Sequence, residues 1–217
     1  MKKLGLIHTS ATLVPVFAEL CQQRLPGVAT FNIADDSLIK EVIEAGRLTA
    51  SVSRRVVSQV VCAAEAGADQ VLVTCSSIGP AVELAAGLVD VPVLRVDRPM
   101  ADEAVRTGGK IGVAATLPTT LQPTAELIRR RAAAAGARVE LVERLCEGAF
   151  DCLMSGDAAT HDARVGQAIV ELAERCDVVV LAQASMARVV EGLEGLPSDT
   201  PILSSPALAI SYLADAL

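Results

Sequence analysis

The sequence is poor in aromatic residues, which make up 2% of its 217 residues, and it contains no tryptophan. It has no long run of basic residues, and its formal net charge is −7. Nucleic acids are bound by positively charged surfaces and, when single-stranded, by aromatic platforms, so no nucleic acid is expected as a partner. Because 52% of the residues are hydrophobic, a large core must be built from aliphatic side chains.

Other signals are missing as well. No apolar run approaches the ~18 residues of a membrane span, and no secretory signal pattern is seen, so we expect no membrane partner. The six cysteines form no CxxC pair. We therefore expect reduced thiols in a cytoplasmic protein, with neither disulfides nor a metal site. Since no GxGxxG or P-loop motif is present, a nucleotide-binding function lacks its motif.

Short apolar runs alternate with helical patterns along the chain. The predicted strands lie at residues 3–8, 28–33, 71–73, 91–96, 110–114, 138–142, 178–181 and 202–203. Helices are predicted between them, for example over residues 121–135, and a last helix over residues 207–217. Strands that alternate with helices form parallel βαβ units, so the sequence predicts an α/β fold.

An internal repeat makes this fold prediction more specific. Seven of the residues at positions 3–20 recur 107 positions later, and further identities follow at offsets of 108 and 109. The matched pairs include Gly5 and Gly112, Thr9 and Thr116, Thr12 and Thr119, and Asp69 and Asp177. We therefore predict two pseudo-symmetric α/β halves, residues 1–98 and 99–206, with the helix at 207–217 packing back on the first half. An active-site cleft is expected between them.

The stretch from Val71 to Pro80 contains the main candidate for a reactive group. Cys75 directly follows a predicted buried strand, and Pro80 suits the first turn of the next helix. Open α/β sheets bind ligands at the carboxyl ends of their strands, and a helix N-terminus favours an anion, including a thiolate. We therefore predict that Cys75 is a low-pKa thiol on the cleft. The alternative is that Cys75 is a small buried hydrophobic residue.

Loops rich in hydroxyl groups follow the equivalent strands of both halves. Hydroxyls and free N–H groups at helix N-termini form anion-binding nests, so we expect a small carboxylate as the ligand. The residues expected to bind it are Thr9, Ser10, Thr12, Ser76 and Ser77 from the first half, with Thr116, Thr119, Gln183, Ala184 and Ser185 from the second. His8 ends the first strand and is a further candidate for a proton donor, with a structural role as the alternative.

These motifs resemble the aspartate/glutamate/hydantoin racemase superfamily, which includes maleate isomerases and arylmalonate decarboxylases. The resemblance rests on the duplicated halves, the Thr-Cys-Ser-Ser loop at Cys75, and the second-half pattern Thr116-x-x-Thr119. It implies cofactor-independent chemistry at the carbon next to a carboxylate. In racemases of this superfamily two cysteines, one in each half, flank that carbon. Here the second cysteine position is Gln183, and an amide cannot exchange a proton at neutral pH.

We therefore expect an enzyme that uses Cys75 alone as base or nucleophile, with Gln183 as a hydrogen-bonding partner of the substrate. Its reaction would be an isomerisation, an epimerisation by one base, or a carbon–carbon cleavage such as decarboxylation. A homo-oligomer is expected. The alternative function is a non-catalytic sensor that binds a small carboxylate on the same two-lobed fold.

Overall fold

The computed structural model describes residues 1–190, 192–193 and 199–217. Its contacts divide the chain into two compact units. Unit 1 consists of residues 1–98 and 206–217, and unit 2 consists of residues 99–205. Among the residues described, no helix is both long and apolar enough to cross a membrane.

Unit 1 contains a four-stranded parallel sheet with strand order β2-β1-β3-β4. Its strands are β1 (Lys3–His8), β2 (Ala29–Ala34), β3 (Gln70–Val73) and β4 (Val93–Arg95). The helices are α1 (Leu13–Arg24), α2 (Ser37–Ala45), α3 (Ala50–Glu65) and α4 (Gly79–Ala86). Hydrophobic clusters cover both faces of the sheet. On one face lie residues of α2, α3 and α4, among them Val56 and Val60. On the other face lie Phe17 of α1 and Ile210 near the C-terminus.

Unit 2 repeats this sheet with strand order β6-β5-β7-β8. Its strands are β5 (Lys110–Ala115), β6 (Glu140–Leu145), β7 (Val178–Leu181) and β8 (Ile202–Ser204). The helices are α5 (Arg98–Thr107), α6 (Pro118–Ala134), α7 (Ala149–Met154), α8 (Ala158–Ala173) and α9 (Ala187–Val190). The last helix, α10 (Ser205–Ala216), belongs to unit 1 from residue 206 onward. The predicted α/β fold with two parallel-sheet halves is therefore confirmed.

Equivalent residues make equivalent contacts in the two units. The Asp69 carboxylate accepts a hydrogen bond from the backbone N–H of Lys3 at 2.7 Å, and Asp177 accepts one from Lys110 at 2.8 Å. Gly5 on β1 lies so close to its neighbours that a Cβ would be 3.0 Å from the Phe31 ring. Its counterpart Gly112 is packed in the same way, against α8. The repeated sequence positions therefore mark the same structural roles.

Several predicted boundaries were wrong. The strand expected at residues 138–142 begins two residues later, at Glu140. The helix expected from residue 121 begins at Pro118, which occupies its first turn. The short helix α7 was not predicted at all. Its six residues are too few for a helical hydrophobic pattern to stand out.

Candidate active site

Cys75 lies at the carboxyl end of β3, a central strand whose four residues are all buried. Its backbone is extended, with φ −131° and ψ 120°, and the chain then forms a 3₁₀ turn over Ser76–Ile78 before α4 begins at Gly79. The Cys75 side chain is half-buried. Cys75 therefore lies between the end of a strand and the start of a helix, as the sequence predicted.

Hydrogen-bond donors surround the Cys75 sulfur. They are the Thr9 hydroxyl, the backbone N–H groups of Ser77 and Ile78, and the Ser77 hydroxyl. Burial raises the pKa of the Cys75 thiol, and these four donors lower it by less than burial raises it. The low pKa expected from the sequence is therefore wrong for this structure, although the expected donors are present. Near neutral pH the group is a thiol.

The turn after β1 brings Thr9 to the Cys75 sulfur, because β1 and β3 are neighbouring strands. Thr9 is buried, whereas Ser10 is half-buried and Thr12 is exposed. The hydroxyls of Ser10 and Thr12 lie 2.7 Å apart and share a hydrogen bond. Ser76 is buried, and its carbonyl accepts the N–H of Gly79. Of the first-half residues predicted to bind a ligand, Thr9 and Ser77 therefore surround the thiol, and Ser10 and Thr12 offer hydroxyls.

Unit 2 builds the same arrangement around Gln183. Gln183 is also extended, with φ −125° and ψ 138°, and it precedes a 3₁₀ turn formed by Ala184–Met186. The Gln183 Oε1 atom accepts hydrogen bonds from the Thr116 backbone N–H at 2.6 Å and from the Thr116 hydroxyl at 3.0 Å. Because a backbone N–H can only donate, the oxygen end of the amide must face Thr116. The Nε2 end is then the part of Gln183 that is left for a ligand.

The remaining predicted positions of the second half are Ala184, Ser185 and Thr119. Ala184 and Ser185 follow Gln183 and are half-buried. The Thr119 hydroxyl, in the first turn of α6, is buried and has no hydrogen-bond partner among the described residues. A buried unpaired hydroxyl costs about 1–3 kcal/mol, which a bound polar ligand would recover. The missing hydrogen-bond partner supports a ligand-binding role for Thr119.

His8 does not have the surroundings of a proton donor to a ligand. Its side chain is completely buried at the end of β1, and its ring centroid lies 5.7 Å from that of Phe17, with the two rings tilted by 53°. Its Nδ1 lies 2.8 Å from the Thr74 hydroxyl, and its Nε2 lies 2.9 Å from the Asn32 side-chain oxygen. Burial lowers the pKa of His8, and the hydrogen bond to Asn32 opposes this shift. Both ring nitrogens therefore have partners inside unit 1, and His8 has a structural role. The expectation that it donates a proton to a ligand does not fit these surroundings.

Sequence reasoning missed one charged group close to the Cys75 loop. Arg95, the last residue of β4, is buried beneath α4 and forms ion pairs with Asp97 and Glu83. Its signal in the sequence is a charged pair, Arg95 and Asp97, in an otherwise apolar run. In the part of the chain that the structure describes, no group of three or more His, Cys, Asp or Glu side chains is placed to hold a metal ion.

Comparison with known proteins gives one family and one fold. Residues 4–213 match the family model described as Asp/Glu/Hydantoin racemase. Glutamate racemase RacE1 from Bacillus anthracis has a TM-score of 0.77 and 20% identity, over 100% of this chain and 81% of that chain. An aspartate racemase from Picrophilus torridus has a TM-score of 0.75 and 14% identity, over 99% of this chain and 95% of that one. Allantoin racemase from Klebsiella pneumoniae has a TM-score of 0.69 and 14% identity, over 100% and 87%. No curated protein sequence matches the chain significantly.

Proposed function

We propose, since this chain belongs to the Asp/Glu/Hydantoin racemase family, that it is an isomerase-type enzyme in which Cys75 is the reactive side chain and Gln183 transfers no proton. Its substrate in this proposal is a small carboxylate, and its chemistry needs no cofactor. The structural likeness to glutamate and aspartate racemases agrees with a substrate of this class. The proposal refines the family's activity in one respect, which is the use of one thiol and one amide in place of two thiols.

The observation that carries the proposal is the matched pair of loops. Cys75 and Gln183 follow equivalent strands with nearly the same backbone conformation. In each unit the threonine after the first strand, Thr9 or Thr116, hydrogen-bonds that residue. Only the side chain in unit 1 can take up and release a proton. Two-base proton transfer through these two positions is therefore impossible.

The state of the thiol indicates how Cys75 works. Because its pKa is raised, Cys75 rests as a thiol and is ready to donate its proton. When a carbanion forms next to the substrate carboxylate, the sulfur gives its proton to that carbon and becomes a thiolate. The donors of Thr9, Ser77 and Ile78 then stabilise the negative sulfur. Solvent or the next substrate returns the proton.

Three outcomes use the two forms of Cys75. In a one-base epimerisation, the thiolate first removes the proton that the thiol later returns. In a cis–trans isomerisation, the thiolate adds to one carbon of the double bond, the resulting carbanion rotates about the new single bond, and the thiolate leaves as the double bond re-forms. In a decarboxylation, carbon dioxide leaves, the bonding electron pair stays on the carbon, and the thiol protonates it. The raised pKa favours reactions in which proton donation comes first, because the thiol form is then the starting form. Gln183 binds a substrate carboxylate or a developing oxyanion through its Nε2 hydrogens.

The test is proton exchange in deuterated water. The protein is incubated with each enantiomer of aspartate and glutamate, with maleate, and with a monosubstituted malonate. NMR then follows deuterium uptake, double-bond geometry and loss of a carboxyl group. We expect turnover of at least one of these compounds, and about a 10²- to 10⁴-fold lower rate in Cys75→Ser. Cys62→Ser is the matched control, because Cys62 is an exposed cysteine on α3 and should not affect the rate.

A carboxylate sensor without catalysis is the second candidate. The replacement of an acid–base residue by Gln183 favours it, because an amide is sufficient for binding but not for proton transfer. Calorimetric binding of a dicarboxylate would support the sensor and contradict the enzyme if no compound shows deuterium uptake, a changed double-bond geometry or the loss of a carboxyl group.

A further inference from the structure

A buried ion-pair cluster lies next to the Cys75 loop. The Arg95 side chain is 3% exposed, and its Nε and Nη2 atoms each donate to the Asp97 carboxylate at 2.7 Å. Its Nη1 atom donates to Glu83 on α4 at 2.6 Å. Asp97 is completely buried. A bidentate pair with a third contact holds the planar guanidinium in one fixed orientation.

That guanidinium lies against the backbone of Gly79. A Cβ on Gly79 would be 2.3 Å from Cζ and 2.3 Å from Nη2 of Arg95, which is far inside van der Waals contact. Gly79 has φ −50° and ψ −43°, a conformation open to every residue. Glycine is therefore required at this position for space and not for backbone freedom.

Gly79 joins the 3₁₀ turn to α4. Its N–H donates to the Ser76 carbonyl, so the backbone that Arg95 supports is the same turn that carries the N–H groups of Ser77 and Ile78. Those two N–H groups point at the Cys75 sulfur. A shift of the turn away from Arg95 would therefore move donors relative to the sulfur.

Two described positions of unit 2 differ from this arrangement. The position equivalent to Gly79 is Ala187, which has the same backbone conformation, with φ −58° and ψ −38°. Arg95 pairs with Val73 across the sheet, and the corresponding partner of Leu181 is Ser204. The arginine and the glycine that leaves space for it therefore occur together in the unit that contains Cys75, and the two equivalent positions beside Gln183 are Ser204 and Ala187.

We propose that Arg95 is a positioning residue for Cys75, which holds the Ser76–Ile78 turn so that its N–H groups stabilise the Cys75 thiolate. This inference rests on the proposed function of Cys75. The effect has to be geometric, because Arg95 is accompanied by two carboxylates and the cluster as a whole is not positive. The residue acts through the backbone of Gly79 and does not touch the substrate.

The test is the pH profile of Cys75 alkylation by iodoacetamide, followed by mass spectrometry of the Cys75 peptide. Gly79→Ala forces the turn and the guanidinium apart, and Arg95→Lys replaces the planar group by a smaller cation of equal charge. In both variants we expect the pH at the midpoint of the Cys75 labelling profile to rise. For each pH unit of rise, the labelling rate at a pH below the midpoint should fall about tenfold. Ala187→Gly is the matched control in unit 2 and should leave the profile unchanged.

Cys62 in the same samples serves as an internal reference, because it is exposed and distant in sequence from the turn. An unchanged Cys75 profile in folded Gly79→Ala or Arg95→Lys protein would overturn the inference. If Gly79→Ala does not fold, Arg95→Lys decides alone, and circular dichroism identifies the folded samples. Alkylation is measured without a substrate, so a failure of the proposed catalytic function would not be confused with a failure of this inference.

Discussion

Cys75 and Gln183 are structural equivalents, each the extended residue between a buried central strand and a 3₁₀ turn. Each interacts with the threonine that follows the first strand of its own unit. Thr9 faces a thiol that can gain or lose a proton, and Thr116 faces an amide oxygen that only accepts hydrogen bonds. The two units therefore share one backbone arrangement, which carries a group that can titrate in unit 1 and a group that only forms hydrogen bonds in unit 2.

The first prediction concerns the reactivity of the thiol. Because burial raises the pKa of Cys75, its thiolate forms only at a pH above that of an ordinary cysteine. Near pH 7 we expect iodoacetamide to label Cys75 more slowly than the exposed Cys62, and the difference should narrow as the pH rises. A small dicarboxylate should slow the labelling of Cys75 and leave Cys62 unaffected. Faster labelling of Cys75 than of Cys62 at pH 7 would contradict the raised pKa.

The second prediction concerns His8 and stability. The pKa of His8 is lowered in the folded protein, mainly by burial, so the unfolded chain binds its proton more readily. The stabilisation is fully present above the unfolded value of about 6.5 and is lost as the pH falls through the lower folded value. Urea unfolding at several pH values between about 7.5 and 5 should show this loss. The loss should be smaller in His8→Gln, because glutamine does not titrate. If the free energy of unfolding depends on pH equally in the two proteins, His8 is not the cause of the loss.

The third prediction tests the core of unit 1. Leu72 lies on β3, directly before the Cys75 loop, and is completely buried. Leu72→Ala should lower the free energy of unfolding by about 2–5 kcal/mol, because it leaves a cavity in the sheet's packed face. Leu84 on α4 is 64% exposed, and Leu84→Ala should change stability by about 0.5 kcal/mol or less. Similar losses in both variants would show that the packing of β3 is not what we describe.

The fold could be predicted because its signals are local or repeated. The central strands of both sheets are short apolar runs, and the match of Gly5 and Thr9 to Gly112 and Thr116 indicated the duplication. The errors occur where the signal is short, as in α7, or where a polar strand such as β6 alternates weakly. At such places tertiary contacts decide the boundaries.

The sequence indicated where Cys75 and Gln183 lie in their own units, and it did not indicate the energetics of the Cys75 thiol. The repeat related Cys75 to Gln183, and the strand ends indicated their loops. The raised pKa depends on how deeply the sulfur is buried, which the sequence does not show. The contact of Arg95 with Gly79 joins residues from different elements, and no periodicity relates them.

The last prediction concerns the position of Gln183. A two-base racemase needs an acid and a base on opposite faces of one carbon, and here one of the two equivalent positions cannot titrate. We therefore expect little or no racemisation of free aspartate or glutamate by the native protein. Gln183→Cys places a thiol where Thr116 already offers a backbone N–H and a hydroxyl, the kind of donors that face Cys75.

Those donors would stabilise a second thiolate, so we expect Gln183→Cys to gain racemisation of aspartate or glutamate. Chiral chromatography and deuterium uptake at the α-carbon in deuterated water measure the gain. Gln183→Ser is the matched control, because a hydroxyl fits the site but is too weak an acid to replace the thiol. The gain should disappear again in the double variant Cys75→Ser/Gln183→Cys, since both groups are needed. Fast racemisation by the native protein would instead mean that a group other than Gln183 supplies the second proton.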